Sequence, residues 1–209
     1  MKNTINCRSC PATWEQETKN ETAAVYSGEC APCAEKRRTA KFVSICPPLY
    51  QRTEIKRLPT AQLKKAMAWK YGTRGLMLQG ETGMCKTRIA WEVMRRFVIL
   101  DQPERAAVFF DAVSFGHELV SHYKAEDAED WLTRLAKVPL IFFDDLGKLK
   151  LTERAEAELF GVVERRCANE LPIIVTTNDT PESVKERLTD NRGAALIRRL
   201  REFCEPIQF

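Results

Sequence analysis

The residues with the clearest chemical meaning in this chain are Gly80–Thr87, which read Gly-Glu-Thr-Gly-Met-Cys-Lys-Thr. An apolar run typical of a short buried strand, Gly75–Gln79, comes directly before them, and an amphipathic stretch, Arg88–Leu100, comes after. A strand, a glycine-containing loop ending in Lys-Thr, and a helix together present backbone N–H groups to phosphate. The sequence therefore predicts a nucleoside triphosphate site.

Two side chains of this loop have expected roles of their own. We expect Lys86 to reach the β- and γ-phosphate oxygens and the Thr87 hydroxyl to take a ligand position on Mg²⁺. The predicted nucleotide-binding residues are Gly80, Glu81, Thr82, Gly83, Met84, Cys85, Lys86, Thr87 and Arg88.

Cys85 departs from the usual pattern, because the position before the lysine is normally Gly. If its φ is positive, a non-Gly residue there costs on the order of 1 kcal/mol, which a fold can absorb. Cys85 is then either a tolerated substitution without a role or a thiol beside Lys86 that oxidises more readily than the buried cysteines.

A second predicted strand, Leu140–Phe143, runs straight into Asp144 and Asp145. Carboxylates at the end of a parallel strand belong at the mouth of the phosphate crevice. We expect Asp144 to hold Mg²⁺, directly or through water, and Asp145 to orient or deprotonate the attacking water. The alternative is that the pair caps the element that follows.

Two further candidates lie nearer the C-terminus. Asn178 follows the apolar run Pro172–Thr176, where its amide would position water beside the γ-phosphate; alternatively it begins a turn. Arg198, Arg199 and Arg201 cluster in a helical stretch, and we favour Arg199 as the one directed at a nucleotide, in the site of a neighbouring subunit. A solvated basic face or DNA contacts would explain the cluster equally.

Cysteine spacing predicts a metal site in the N-terminal part. Cys7-x-x-Cys10 and Cys30-x-x-Cys33 supply four thiolates in two tight turns, the arrangement suited to tetrahedral zinc. Chance pairing is the alternative. A ribbon this short has almost no core, so the metal would hold it folded; the sequence does not decide whether it binds DNA, binds protein or is structural.

Composition excludes several classes. The 209 residues contain no apolar run approaching the roughly 20 residues of a membrane helix, and the start lacks the apolar core of a signal peptide. We therefore expect a cytoplasmic protein without a membrane partner. Residues 35–74 hold eleven Lys/Arg against two Glu, a net charge of +9, which suggests either contact with a nucleic-acid backbone or a solvated linker. Tyr50, Trp69 and Tyr71 would stack on bases or lie in the core.

Strand-like runs alternate with helical periodicity, which predicts a parallel sheet covered by helices on both faces. Further predicted strands are 106–110 and 205–209. Predicted helices cover 61–71 (with Thr60 as N-cap), 116–137 (interrupted near 126–130), 152–169 and the segment from Thr180. We divide the chain into a zinc-binding module (1–36), a basic linker and helix (37–72) and an ATPase domain (73–209).

Four ordered motifs resemble the AAA+ ATPases of the DnaC helicase-loader group, to which the IstB-type transposition ATPases are similar. They are GETGMCKT, IFFDDLG at 141–147, IIVTTN at 173–178 and ALIRRLREF at 195–203. The resemblance implies a five-stranded P-loop sheet in the order 5-1-4-3-2. It identifies Lys86 and Thr87 as Walker A, Asp144 and Asp145 as Walker B, Asn178 as sensor 1 and Arg199 as the trans-acting arginine.

The same resemblance implies ATP-dependent assembly into a ring or helical oligomer on single-stranded DNA and delivery of a hexameric replicative helicase, in a bacterial or phage-infected cell. Asp145 stands where most members have Glu, and Ala195 where many have a second arginine, so we expect slow hydrolysis stimulated by assembly or DNA. A transposition regulator that prefers duplex DNA, and a zinc-containing nucleotide switch without turnover, are the alternatives. A small-molecule kinase is disfavoured, because Asp144-Asp145 with Asn178 suits water activation.

Overall fold

The computed structural model describes residues 2–17, 28–111, 113–146, 152–178 and 190–209. They form a small antiparallel hairpin near the N-terminus and a five-stranded sheet with helices packed against it. The hairpin pairs β1 (Lys2–Asn6) with β2 (Thr13–Glu17), and Ile5 lies opposite Trp14.

The larger sheet is parallel at every pairing between its strands. The strands are β3 (Gly75–Gln79), β4 (Ala107–Asp111), β5 (Leu140–Asp144), β6 (Ile173–Thr177) and β7 (Cys204–Gln208). Their order in the sheet is β4-β5-β6-β3-β7, which confirms the order implied by the resemblance. All positions of β3 and β6 are buried, because helices cover both faces of the sheet, and this explains why apolar residues follow one another there without alternation.

Helices connect the strands. A 3-10 turn covers Ile55–Arg57, and a π-helical turn, which is wider than an α-helical one, covers Phe97–Asp101. In the part of the chain that the structure describes, no helix has the length and apolar character needed to cross a membrane. The helices are α1 (Ala31–Ile45), α2 (Pro48–Gln51), α3 (Thr60–Ala68), α4 (Lys86–Arg96), α5 (Ser114–Lys124), α6 (Ala128–Lys137), α7 (Glu153–Ala168) and α8 (Asp190–Phe203).

Two clusters of buried apolar side chains lie on opposite faces of the sheet, because successive strand residues point to opposite sides. Phe143 belongs to the cluster formed with α5 to α8, whereas its neighbour Phe142 belongs to the cluster formed with α1, α3 and α4. The predicted α/β sheet with helices on both faces is thereby confirmed.

Some predicted helix ends are wrong. The helix predicted over 61–71 begins at Thr60 and ends at Ala68, because Trp69 leaves the helical conformation (ψ 137°) and buries its ring. Its indole Nε1 donates a hydrogen bond to the carbonyl of Arg74 at 3.2 Å. The helix after the phosphate loop begins at Lys86, two residues earlier than predicted, and its α-helical part ends at Arg96.

The predicted interruption of the long helical stretch is confirmed. Residues 125–127 separate α5 from α6, and Glu126 there has a φ of 60°. The helix predicted over 152–169 is confirmed as α7, with Thr152 as N-cap: its hydroxyl accepts a hydrogen bond from the Ala155 N–H at 3.3 Å. The helix predicted from Thr180 lies outside the described residues.

Much of the expected basic linker is helical. Phe42 on α1 is 1% exposed and packs edge-on against Trp91 of α4, with ring centroids 6.0 Å apart. Trp69 is 3% exposed and Tyr71 packs against Phe97, so these two aromatic residues take the core alternative. The division of the chain at residues 36 and 72 stays a prediction.

Candidate nucleotide-binding site

The loop Gly80–Thr87 connects β3 to α4, as the motif predicts. Gly80 has a φ of 154° and Gly83 a φ of 87°, conformations that are strained for residues with a side chain. A Cβ on Gly80 would also lie 2.7 Å from the Cβ of Phe209, the residue that follows β7. Glycine at the start of the loop is therefore required by conformation and by space.

Cys85 immediately precedes α4 and has a φ of 64°. The positive φ considered from the sequence is therefore present, at a cost of about 1–2 kcal/mol for a residue with a side chain. The half-buried thiol contacts the carbonyl of Gly83, with Sγ and O 3.9 Å apart. Its reactivity stays a prediction.

Lys86 lies against the loop that precedes it. Its side-chain Nζ donates hydrogen bonds to the carbonyl oxygens of Gly80 at 2.8 Å and Glu81 at 2.7 Å, and the residue is only 6% exposed. The ammonium group is thus held beside the loop whose amides are expected to meet the phosphates. Its contact with the β- and γ-phosphate oxygens stays a prediction.

The structure brings Asp144 at the end of β5 into contact with the loop. The Thr87 hydroxyl donates to Asp144 Oδ1 at 2.7 Å, and the Thr176 hydroxyl donates to the same oxygen at 2.6 Å. Burial raises the pKa of the Asp144 carboxyl, whereas the two hydroxyl hydrogen bonds act in the opposite direction. The hydroxyl and the carboxylate expected to hold Mg²⁺ are therefore adjacent; their roles as ligands stay predictions.

Asp145 and Asn178 also lie together. The Asn178 amide donates to Asp145 Oδ1 at 2.8 Å, and Asp145 has a φ of 57°. The Asp145 N–H donates to the hydroxyl of Thr176 at 2.7 Å. The two groups expected to position water are thus joined at the ends of neighbouring strands.

These side chains line a single open crevice of about 360 Å³. Of the predicted nucleotide-binding residues, Thr82 through Arg88 line it, and the predicted Asp144, Asp145 and Asn178 complete its polar wall. Its lining residues are Leu49, Tyr50, Thr82, Gly83, Met84, Cys85, Lys86, Thr87, Arg88, Asp144, Asp145, Thr176 and Asn178.

Two lining residues, Leu49 and Thr176, were given no role from the sequence, and Tyr50 was expected only to stack on bases or lie in the core. Leu49 and Tyr50 form an apolar wall: the Tyr50 ring stacks on Trp91 at 6.2 Å, and the Arg88 guanidinium lies 5.7 Å from its centroid. Burial, and after it the charge of Asp144, raises the pKa of Tyr50. No motif marks this pair, whereas Thr176 had a weak signal as a polar residue that ends an apolar strand.

Arg199 does not line this crevice. Its Nε and Nη2 donate to the two carboxylate oxygens of Glu164 on α7, at 2.6 and 3.1 Å, and its Nη1 donates to Glu202 at 3.3 Å. The side chain is 41% exposed beside a separate cavity of about 390 Å³. An action on the nucleotide of a neighbouring subunit stays a prediction.

The four predicted zinc ligands converge. The sulfur atoms of Cys7, Cys10, Cys30 and Cys33 all lie within 4.8 Å of one another, and the Cys10–Cys30 distance is 3.5 Å. Tetrahedral Zn–S bonds of about 2.3 Å would place the sulfurs about 3.8 Å apart, so the donor set fits the metal.

Backbone groups support this cluster. The Cys30 and Ser9 N–H groups donate to the Cys7 sulfur at 3.3 and 3.4 Å and lower the pKa of Cys7 to about 6. Hydrogen bonding with the Cys30 and Cys10 thiols raises the pKa of Cys33 to about 12. Cys30 and Cys33 lie at the start of α1, the helix that carries the buried Phe42, so α1 joins the cluster to the core.

Comparison with known proteins agrees with this geometry. A family described as IstB-like ATP binding protein matches residues 50–209. The replicative helicase loader DnaI of Bacillus subtilis (strain 168) is 24% identical over 144 residues, which are 65% of this chain and 45% of DnaI. This chain thus spans less than half the length of that relative.

Two solved structures share the fold. The crystal structure of DnaI has a TM-score of 0.63 at 19% identity, over 78% of this chain and 94% of that one. The crystal structure of the DnaC helicase loader has a TM-score of 0.60 at 18% identity, over 84% of this chain and 99% of that one. The family match covers well over half of the chain and includes the whole phosphate loop. The chain therefore belongs to the IstB-like ATP-binding proteins and has the P-loop AAA+ fold.

Proposed function

We propose that this chain binds Mg·ATP in the crevice, hydrolyses it slowly, and uses the cycle to load a hexameric replicative helicase onto single-stranded DNA. The observation that carries the ATPase part is the 2.7 Å contact between Thr87 and Asp144. It joins the phosphate loop to the carboxylate at the end of β5, and it is the pairing through which P-loop proteins hold magnesium.

The reaction assigns a task to each side chain. Lys86 binds the β- and γ-phosphate oxygens, and Thr87 and Asp144 hold the metal. When bound there, Mg²⁺ would neutralise negative charge on the nucleotide phosphates. Asp145 accepts a proton from the attacking water, or orients it, and the Asn178 amide donates a hydrogen bond that fixes the Asp145 carboxylate. The wall of Leu49 and Tyr50 accommodates the base.

Assembly completes the proposed site, because Arg199 lies outside the crevice of its own chain. An arginine that enters the site of a neighbouring subunit stabilises negative charge as it develops in the transition state. Turnover then depends on contact between copies of the chain. The short Asp145 side chain, where Glu is expected, supports slow hydrolysis that assembly or DNA stimulates.

The basic segment is the proposed contact for single-stranded DNA. Four of its side chains have partners within the chain. Arg37 pairs with Glu29 and Glu104, and Arg57 pairs with Glu54. Lys41 and Arg74 donate to backbone carbonyls. The remaining cations are mostly exposed and available to phosphates. The exposed members include Lys36, Arg52, Lys56, Lys64, Lys65 and Lys70.

The partner is proposed from the relative, since the helicase loader DnaI matches 65% of this chain. We place the protein in the cytoplasm of a bacterial or phage-infected cell. Zn²⁺ would be held by Cys7, Cys10, Cys30 and Cys33, where it would cross-link the hairpin to the start of α1. The metal-bound module is the proposed recognition element, because two of its four cysteines lie at the start of α1, a helix that is itself packed on the core.

Phosphate release by the purified chain tests the enzymatic part. We expect release from Mg·ATP to rise when single-stranded DNA is added, and Asp145→Asn to reduce it at least tenfold. Glu118→Gln is the control, since this exposed carboxylate on α5 lies outside the crevice. Equal rates in the wild type and Asp145→Asn would support a nucleotide switch without turnover.

Co-purification with a candidate hexameric helicase tests the loading part. We expect ATP-dependent retention of the helicase by the wild type and its loss in a Cys7→Ser/Cys10→Ser variant. Since the family that matches is IstB-like, a transposition ATPase is the second candidate. ATP-dependent preference for duplex over single-stranded DNA, with no helicase retained, would favour it.

A further inference from the structure

Thr176 is a buried polar residue to which neither the motifs nor the proposed reaction gives a task. It lies next to the end of β6 and is 1% exposed. Its hydroxyl contacts two different groups of the neighbouring strand end: the Asp144 carboxylate at 2.6 Å and the Asp145 N–H at 2.7 Å. One hydroxyl therefore touches both acidic residues of the crevice.

The direction of these hydrogen bonds follows from their chemistry. A backbone N–H can only donate, so the Thr176 oxygen is the acceptor towards Asp145. The single hydroxyl proton is then donated to Asp144 Oδ1, which also accepts a hydrogen bond from the Thr87 hydroxyl. Asp144 thus accepts two hydrogen bonds, and the one from Thr176 remains if the Thr87 hydroxyl turns towards a metal ion.

The contact with Asp145 acts on the backbone. Asp145 has a φ of 57°, and the left-handed conformation costs about 1–2 kcal/mol for a residue with a side chain. A charge-neutral hydrogen bond to a buried hydroxyl offsets part of this cost. The same conformation directs the Asp145 carboxylate to Asn178, 2.8 Å from the amide nitrogen.

We propose that Thr176 is a positioning residue that sets Asp144 for magnesium and, through the backbone of Asp145, sets the water-directed carboxylate against Asn178. This inference rests on the proposed ATPase function and deepens it. Threonine suits the task because its β-branched side chain is stiff at χ1, so a buried hydroxyl keeps one direction. The residue acts through the two aspartates and does not itself touch the nucleotide.

Thr176→Val tests the proposal, since it removes the hydroxyl while keeping the shape. The affinity of the full chain for a fluorescent ATP analogue is measured in EDTA and again in excess Mg²⁺. We expect the affinity of Thr176→Val in EDTA to lie within twofold of the wild-type value. The factor by which Mg²⁺ raises the affinity should be about tenfold smaller in the variant, because losing a hydrogen bond to a charged group changes an equilibrium by about that factor. Thr176→Ser, which restores the hydroxyl, should recover most of the gain.

Thr177→Val is the control that distinguishes a loss of fold stability from a loss of positioning. It removes another buried hydroxyl from the same strand, on the opposite face of the sheet. Its thermal melt measures the stability cost of such a loss without altering the contacts of Thr176. If Thr176→Val is too unstable to assay, Thr176→Ala gives the same readout.

A Mg²⁺-dependent gain in Thr176→Val equal to that of the wild type would overturn the role of Thr176 alone. Equal impairment of Thr176→Ser and Thr176→Val would do the same, since the hydroxyl would then be irrelevant. A wild type that binds the analogue no better with Mg²⁺ than without it would overturn the proposed function instead. These outcomes are distinguishable in one set of titrations.

Discussion

The nucleotide crevice and the four-cysteine cluster each bring together polar groups from distant parts of the sequence, but by different physical means. In the crevice, Asp144, Thr176 and Asn178 stand at the ends of adjacent parallel strands whose apolar residues are fully buried. In the cluster, Cys7 and Cys10 lie in the turn that joins the two five-residue strands of the hairpin, and no buried apolar side chain of that hairpin is found among its described residues.

The packed core organises the crevice, whereas we expect a bound ligand to organise the cluster. The crevice side chains hydrogen-bond to one another at 2.6–2.8 Å on a packed scaffold, so the site has its geometry before nucleotide arrives. An isolated two-stranded hairpin is marginally stable in water, so we expect the cluster to need a bound metal to stay folded.

The largest expected effect breaks the cluster and spares the crevice. Replacing Cys7 and Cys10 together by Ser should remove essentially all bound zinc, because structural zinc sites bind with about 10–16 kcal/mol. ATP affinity should change by less than about twofold, because Phe42 anchors α1 in the core independently of the metal. Metal content by mass spectrometry and nucleotide titration measure both quantities.

A parallel loss of nucleotide affinity by tenfold or more would show that the two regions are coupled through α1. Cys46→Ser is the matched control, because this cysteine is buried in the core outside the cluster.

The second largest effect breaks the crevice and spares the cluster. Lys86→Ala should weaken ATP binding by about a hundredfold, since it removes the one ammonium that the loop holds against its carbonyls. Zinc content should stay unchanged. Isothermal titration of ATP gives the affinity, and Lys70→Ala, an exposed lysine ahead of β3, serves as the control. Undiminished ATP binding by Lys86→Ala would refute the assignment of the loop.

A third effect concerns the stability that the crevice gives up for its function. The folded pKa of Asp144 is raised by burial, so its charged form is less favourable in the folded than in the unfolded chain, and stability falls as pH rises from the unfolded to the folded pKa. Asp144→Asn should therefore stabilise the metal-free chain at neutral pH by on the order of 1 kcal/mol, a rise of about 2–4 °C in Tm. A lower Tm, measured in EDTA by calorimetry, would contradict this sign.

The smallest effect concerns the site residue outside the crevice. Two carboxylates flank Arg199 at 2.6–3.3 Å. If Arg199 acts on the nucleotide of a neighbouring subunit, as we propose, their negative charge would repel its phosphates until the ion pair opens. Glu164→Gln should therefore raise phosphate release by about two- to fivefold at limiting protein, since an exposed ion pair is worth at most about 1 kcal/mol. A slower rate would mean that Glu164 aims Arg199 instead of holding it back.

Much of the crevice could be predicted from sequence because its signals are local. The loop Gly80–Thr87 is contiguous, and Asp144 and Asn178 directly follow apolar runs whose strands must end at the same edge of a parallel sheet. Helix ends were less predictable. The helix α3 ends before Trp69, whose ring is buried in the core, and no residue type in the segment predicts this helix end.

The remaining site residues needed the fold. Leu49 and Tyr50 lie about thirty positions before the loop they face, and tertiary contacts with Trp91 and Arg88 bring them there. The basic residues of 35–74 looked alike in sequence, but Arg37 and Lys41 are bound to partners near residue 104. Whether a charge is paired within the chain depends on contacts between segments that sequence spacing does not specify.

The sequence by itself determined the chemistry available to this protein: a phosphate loop, two carboxylates, a strand-end amide and four thiols at metal-ligand spacing. Tertiary structure decided which of these groups meet, because hydrogen bonds of 2.6–2.8 Å require atoms from separate strands to be placed within tenths of an ångström. That placement comes from the packed core on both faces of the sheet, which brings Thr87, Asp144 and Thr176 to one point although up to 89 positions of chain separate them.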